Sequence, residues 1–181
     1  NEMKITQTLQ KTLDSNKFSC SIDADFGEVI KKCAEADQGK GGIRCITEDL
    51  IASYKDIYDI GFAHSVEVYE GNKMMGGLYG MAIGKIFCLE AMFQTKTNAS
   101  KTAFYHLAQF LKANNFELID MQQGSQLMKT MGAHFIPRKD FLKDLKLLKE
   151  INLSFNIDIT DYTPLNNLSN LALVIMMGCG Y

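Results

Sequence analysis

The spacing of apolar residues changes twice along the chain, and this change limits the fold more than any other feature. Between residues 25 and 61, apolar side chains recur every three or four positions, which predicts two helices that begin near Asp25 and Thr47. Between residues 63 and 94 the spacing falls to two, which predicts three strands separated by turns at 71–72 and Gly84. Such a chain folds as a mixed α/β domain.

A second helical segment follows the strands. Residues 98–113 have helical spacing, and Asn98 or Ser100 can cap this helix. Residues 116–122 predict a strand that joins the sheet after this crossover, 125–131 a brief helix, and Pro137 the start of a last helix. We therefore expect an α/β (α+β) domain over residues 1–150, with a mixed sheet flanked by helices. Residues 151–181 form a tail to which the pattern assigns no structure.

The charge balance limits the partners. The chain has 19 basic and 21 acidic residues and a net charge of −2, so binding to nucleic acid requires a local patch. The longest apolar run, residues 171–177, is far shorter than the roughly 18 to 20 residues that cross a bilayer. Five cysteines, an odd number without C-x-x-C spacing, are typical of a reduced cytoplasmic protein.

Glycine, histidine and cysteine patterns point to structure rather than to chemistry. The glycine-rich segments 39–42 and 76–80 lack the spacing of nucleotide-binding glycine loops. We expect a turn at 39–42 and either a close backbone approach or a bulge at 76–80. His64, His106 and His134 lie far apart and predict no zinc site. Cys88 alternates with apolar neighbours and is expected to be a small buried residue.

The strand over residues 116–122 carries the sharper signal. If its side chains alternate, Asp120 and Gln122 project from one face near the carboxyl end of the strand, where open α/β sheets commonly bind ligands. An acid and an amide at this spacing can hold an amine and direct its lone pair at a carbonyl. The alternative is that both residues only end the strand and cap the next helix.

Glu90 is the second candidate. It is the only charged residue in the apolar segment 86–93, and a charge in such a strand usually needs a partner. If Asp120 lies on the adjacent strand, the two carboxylates would suit a cationic substrate. An edge position facing water is the alternative interpretation of Glu90.

Six segments together resemble one known family, the leucyl/phenylalanyl-tRNA–protein transferases. They are AHSVEV (63–68), GGLYG (76–80), FCLEAMF (87–93), NASK (98–101), LIDMQ (118–122), and GA with IPR (132–138). Each segment alone is weakly specific, but as an ordered set they cover roughly residues 5–150.

This resemblance implies an acetyltransferase-like (GNAT-like) fold and a specific activity. A monomeric cytoplasmic enzyme would move leucine or phenylalanine from aminoacyl-tRNA to a protein whose first residue is arginine or lysine, as in the N-degron pathway. It needs no cofactor or metal, because aminoacyl-tRNA is the co-substrate. The resemblance assigns the catalytic roles to Asp120, Gln122 and Glu90.

Further roles follow from the same resemblance. The residues assigned to the transferred side chain are Leu78, Phe87, Leu89, Met92 and Ile119, and convergence of Phe87 with Glu90 and Met92 requires a bulge in the strand. The lysines assigned to tRNA on the first helix are Lys4, Lys11 and Lys17. The chain departs from the family in having no tryptophan, in having Arg44-Cys45 before Ile46-Thr47, and in having Leu89 in place of a glycine.

Two other functions are compatible with the residues. An acyltransferase of the same fold could use another donor such as coenzyme A, although residues 93–101 contain no Q/R-x-x-G-x-G/A loop. A non-catalytic module could instead bind basic N-termini with the acidic residues alone.

Overall fold

The computed structural model describes residues 3–38, 46–122, 126–137, 139 and 172–176. The chain divides into two compact units. The first unit contains Ile5–Ala82 and Cys88–Leu107, and the second contains Asn1–Lys4, Ile83–Phe87 and Ala108–Tyr181. The predicted glycine turn at 39–42 and the helix after Pro137 lie outside the described residues.

Most elements have residues in the first unit. They are α1 (Gln7–Asp14), β1 (Ser19–Ile22), α2 (Phe26–Gln38), α3 (Glu48–Asp59), β2 (Ala63–Glu70), β3 (Lys73–Ile83), β4 (Ile86–Gln94) and α4 (Ala99–Ala113). The bounds of α2, α3 and the three strands β2 to β4 confirm the predicted order and agree with the predicted positions. Thr47 caps α3 as expected, because its hydroxyl accepts a 3.3 Å hydrogen bond from the Leu50 N–H.

Strands β1, β2, β3 and β4 are neighbours in that order. The pairs β1–β2 and β2–β3 are antiparallel, and the β2–β3 register shifts between Val68 and Tyr69. β1 was not predicted, because Ser19–Ile22 contains only two apolar residues and has no distinct alternation. The sequence pattern therefore found the central strands and missed the short outer one.

The core of the first unit lies between α2, α3 and the strands. Its buried residues include Val29 and Ile30 of α2, Tyr54 of α3, and Tyr79 and Phe93 of the strands. Aromatic rings contact each other within it: Tyr54 meets Tyr79 edge-on at 5.1 Å between ring centroids. This cluster packs α3 against β3 and against β4, the strand that carries Glu90.

The start of α4 differs from the predicted cap. Asn98 directly precedes the helix, but its backbone has φ +68° and its amide nitrogen donates to the Thr8 carbonyl at 3.2 Å and the Thr12 hydroxyl at 2.9 Å. Ser100 donates its hydroxyl to Gln94 at 2.9 Å. Asn98 therefore uses its amide to attach α1 to the turn before α4.

The second unit contains β5 (Leu118–Asp120), α5 (Gln126–Thr130), β6 (His134–Ile136) and β7 (Ala172–Met176). β7 lies between β5 and β6 and is parallel to both. The apolar run in the tail thus supplies a strand that the sequence pattern did not assign. Antiparallel strands in the first unit and parallel strands in the second confirm the predicted mixed α/β architecture.

No helix within the described residues is long and apolar enough to cross a membrane.

Candidate active site

The end of β5 carries Asp120 and Gln122. Asp120 is the last residue of the strand and is buried, at 6% exposure. Its Oδ1 atom accepts a 2.8 Å hydrogen bond from the backbone N–H of Gln122, whose own backbone is left-handed with φ +54°. The turn therefore fixes the carboxylate, and the side chain of Gln122 is exposed.

This geometry corrects one prediction from the sequence. The predicted strand over 116–122 covers only Leu118–Asp120, so alternation along a strand does not place Asp120 and Gln122 on one face. The turn at Gln122 ends the strand because a left-handed residue cannot continue the pleat. The two residues are instead joined by a hydrogen bond from the Gln122 backbone N–H to the Asp120 side chain, and Asp120 ends the strand.

Glu90 lies on β4 in the first unit, and it is half-buried rather than facing water freely. Its neighbour is Tyr54 of α3, whose pKa is raised by burial and then by the charge and hydrogen bonding of Glu90. The Tyr54 hydroxyl therefore stays protonated at neutral pH, and it can act as a hydrogen-bond donor near the Glu90 carboxylate. Sequence analysis missed this role, since Tyr54 simply continues the apolar face of α3.

The residues assigned to the transferred side chain are buried or half-buried. In the first unit Leu78 and Leu89 are buried and Met92 is half-buried, and in the second unit Phe87 and Ile119 are buried. Glu90 interacts with Tyr54, and Ala91 packs against the cluster that contains Tyr54. The bulge in β4 that convergence of Phe87 with Glu90 and Met92 requires stays a prediction.

The three lysines assigned to tRNA were expected on the first helix, and this prediction is wrong for two of them. Only Lys11 is part of α1, because the helix begins at Gln7 and ends at Asp14. Lys4 belongs to the second unit, where its N–H donates to the Met131 carbonyl at 2.9 Å. Lys17 precedes β1, and its ammonium group lies 3.9 Å from the carboxylate of Glu70.

A buried carboxylate was missed by the sequence analysis. Glu67 on β2 is fully buried and accepts hydrogen bonds from the hydroxyls of Ser21 and Ser65 and from the N–H of Ala24. These donors satisfy the charge at the start of α2, where the helix dipole also favours an anion. In the alternating pattern of β2, Glu67 has the position of a glutamate that faces solvent. The only sequence signal for it is that it belongs to the segment 63–68, which carries the family resemblance.

Asp23 and His64 form a neighbouring pair. The Asp23 Oδ2 atom lies 2.7 Å from Nδ1 of His64, and Oδ1 accepts a 2.7 Å bond from the Ser65 N–H. The Asp23 carbonyl also accepts a bond from the Tyr58 hydroxyl. Because Asp23 has φ +54°, these contacts stabilise a strained backbone that connects β1 to α2.

The glycine segment 76–80 has the structural role that was predicted for it. A Cβ atom on Gly76 would lie 2.7 Å from the Cβ of Ala99, and one on Gly77 would lie 2.9 Å from the Val66 carbonyl oxygen. Both glycines therefore permit a close approach, which confirms the prediction.

The parts of the chain that the structure describes contain no cluster of side chains suited to a metal ion, and two of their cysteine thiols have raised pKa values. Those residues contain no group of three or more histidine, cysteine, aspartate or glutamate side chains suited to a metal ion. Burial raises the pKa of the Cys33 thiol, and burial together with Glu67 raises that of Cys20 to about 12. Cys88 is half-buried rather than fully buried, unlike the prediction. Cys20 and Cys33 are therefore poor nucleophiles at neutral pH.

The comparison with known proteins decides the family. The sequence profile described as leucyl/phenylalanyl-tRNA protein transferase matches residues 1–146. The chain belongs to this family. The expected resemblance is thereby confirmed over most of the sequence.

Relatives with this name support the assignment. A leucyl/phenylalanyl-tRNA–protein transferase of Syntrophobacter fumaroxidans is 39% identical over 141 residues, which cover 78% of this chain and 60% of the relative. That of Azoarcus sp. is 40% identical, covering 80% of this chain and 61% of the relative. The chain thus spans about three-fifths of the length of these transferase relatives.

Solved structures similar to this family member are acetyltransferases. An aminoglycoside acetyltransferase from an uncultured soil metagenomic sample has a TM-score of 0.48 and 12% sequence identity, covering 82% of this chain and 97% of that one.

Proposed function

We propose that this chain transfers leucine or phenylalanine from aminoacyl-tRNA to proteins that begin with arginine or lysine. The observation that supports this most is the family match over residues 1–146, which includes Glu90, Asp120 and Gln122. The enzyme would act in the cytoplasm as a monomer and supply substrates to an N-degron pathway.

The proposed reaction exchanges an ester for an amide. The acceptor's α-amino nitrogen attacks the carbonyl carbon of the aminoacyl ester, and the new C–N bond forms as the C–O bond to the tRNA ribose breaks. The nitrogen loses a proton, and the released ribose oxygen gains one. No cofactor is proposed, because the ester already provides the activated acyl group.

In this proposal Asp120 acts on the attacking amine. Its carboxylate is buried and is held in place by the Gln122 N–H, so its oxygens keep a fixed orientation. A carboxylate with a fixed orientation can accept a hydrogen bond from the amine and direct the lone pair of its nitrogen. A fixed carboxylate accelerates the reaction more than a mobile one, because it is already in position. The exposed Gln122 amide is available to a substrate.

Glu90 would receive the positive charge of the acceptor. A half-buried carboxylate such as Glu90, which lies beside Tyr54, attracts a cation more strongly than one in water. The neutral Tyr54 hydroxyl beside it leaves this charge in place. Leu78 and Leu89, which are buried apolar residues of the same unit as Glu90, are proposed to contact the transferred side chain.

A peptide series tests this proposal. Peptides that begin with arginine, lysine or alanine are offered with charged tRNA, and the Glu90→Gln variant is compared with the unaltered protein. We expect transfer to arginine and lysine peptides, and a loss of this preference in the variant. Binding of arginine peptides without transfer from any aminoacyl-tRNA would favour the non-catalytic module, and acyl transfer from acetyl-coenzyme A would favour the acyltransferase alternative.

A further inference from the structure

Two lysines of the first unit pair with one carboxylate, and a third lies next to it in the strand register. Lys17 lies 3.9 Å from Glu70, and Lys96 forms a shorter ion pair with the other oxygen of the same side chain. Lys73 is the register partner of Glu70 across the β2–β3 turn. Lys17, Lys73 and Lys96 together with Glu70 carry a net positive charge, although only Lys17 and Lys96 pair with the carboxylate.

These residues come from different parts of the sequence. Lys17 lies just before β1, Lys73 begins β3, and Lys96 lies in the turn between β4 and α4. All three side chains are accessible, with 42% exposure for Lys17 and 39% for Lys96. A sequence pattern could not group them, since only the strand register and the β4–α4 turn place them together.

The stability of isolated surface ion pairs does not explain the cluster. An exposed ion pair contributes little to stability, and a single lysine would be enough to pair with Glu70. Each further lysine beside the first adds repulsion, which is relieved when an anion binds. The pKa of Lys96 is raised mainly by its hydrogen bond to Glu70, so this lysine stays charged at neutral pH.

The cluster also has a fixed relation to Lys11 on α1. Asn98, two residues after Lys96, donates to the Thr8 carbonyl and to the Thr12 hydroxyl of that helix. Lys11 is exposed on the helix between these two partners. The hydrogen bonds of Asn98 therefore attach α1, which carries Lys11, to the β4–α4 turn, which carries Lys96.

We propose that Lys17, Lys73 and Lys96 form a phosphate-binding cluster that contacts the RNA backbone of the tRNA substrate, with Glu70 holding the lysines in place until RNA binds. This inference rests on the proposed function, and it adds Lys73 and Lys96 to the lysines that the sequence assigned to tRNA. RNA fits the cluster because phosphodiesters carry one negative charge each and bind clustered lysines without base specificity.

The salt dependence of tRNA binding tests the cluster. Binding of uncharged tRNA is measured between roughly 50 and 200 mM salt for the unaltered protein, Lys73→Gln, Lys96→Gln and the control Lys31→Gln, which changes an exposed lysine on α2. We expect each cluster variant to lower the slope of log K against log salt by about 0.7 to 0.9, while the control does not. Glu70→Gln is expected to bind more tightly, because it removes the competing carboxylate.

Two results would overturn the inference in distinguishable ways. Unaltered slopes in both cluster variants, with tRNA binding intact in the unaltered protein, would show that the lysines only pair with Glu70 and would leave the proposed function standing. An unaltered protein that does not bind tRNA would contradict the cluster and the proposed function together.

Discussion

The backbone N–H of Gln122 donates a 2.8 Å hydrogen bond to the Oδ1 atom of Asp120. This bond places an exposed amide directly after a buried carboxylate and fixes the carboxylate at the end of β5. A residue with φ +54° at position 122 is unusual for glutamine, and such strain often marks functional positions. The relationship gives the proposed catalytic role of Asp120 its physical basis.

Replacing Asp120 is therefore expected to impair transfer more than folding. Asp120→Asn keeps the shape and can still accept the Gln122 hydrogen bond, but it loses the charge, so we expect kcat to fall by about 10²-fold or more. Steady-state kinetics and thermal unfolding measure the two effects. Glu117→Gln is the matched control, since Glu117 is exposed in the same unit and pairs with Lys85. Equal activity in the two variants would contradict the role of Asp120.

Removing the Tyr54 hydroxyl is expected to lower kcat/KM for the acceptor peptide. In Tyr54→Phe the Glu90 carboxylate loses the neighbouring hydroxyl, and a hydrogen bond from such a group to a charge on bound substrate or on Glu90 is worth about 1.5 to 3 kcal/mol. We expect kcat/KM for an arginine peptide to fall about tenfold, with KM for aminoacyl-tRNA unchanged. Tyr58→Phe, which removes a hydroxyl bonded to the Asp23 carbonyl, serves as the control. A similar loss in both variants would show a general packing effect.

The buried Glu67 is expected to dominate stability near the start of α2. Glu67→Ala removes the acceptor of two hydroxyls and a backbone N–H, and we expect the free energy of unfolding to fall by about 3 to 5 kcal/mol. Denaturant titration measures this loss. The exposed Glu117→Ala should change stability by less than about 1 kcal/mol. A small effect of Glu67→Ala would mean that the network relaxes without its acceptor.

Stability should fall in mild acid because of His106. Burial lowers the pKa of this histidine below its ordinary value of 6.5, so the unfolded chain takes up a proton more readily than the folded one. The contribution of the neutral histidine is present above pH 6.5 and is lost as the pH falls through the lower folded pKa. His106→Gln should show a smaller drop in stability between about pH 7 and 5. Parallel pH curves for both proteins would rule this out.

The sequence predicted the elements whose spacing is regular and long. Alternation over 63–94 located β2, β3 and β4, and helical spacing located α2, α3 and α4. It missed β1, β6 and β7, because each is short and is stabilised by pairing with distant strands rather than by its own pattern. The left-handed turn at Gln122 was also hidden, since glutamine rarely adopts that backbone conformation.

The site was predicted only in part for a similar reason. Glu90, Asp120 and Gln122 were identified by isolated charge, strand position and family resemblance, and these signals are local. Tyr54, Asp23 and the lysines around Glu70 depend on contacts between segments that are distant in sequence. Local spacing does not encode such contacts, so they required the three-dimensional structure.

The most direct test of the central claim is a transfer assay at low salt. The protein is incubated with tRNA charged with labelled leucine or phenylalanine, together with a peptide that begins with arginine or the same peptide beginning with alanine. The account predicts label on the arginine peptide and none on the alanine peptide. Label on neither peptide from either aminoacyl-tRNA, or equal label on both, would contradict it.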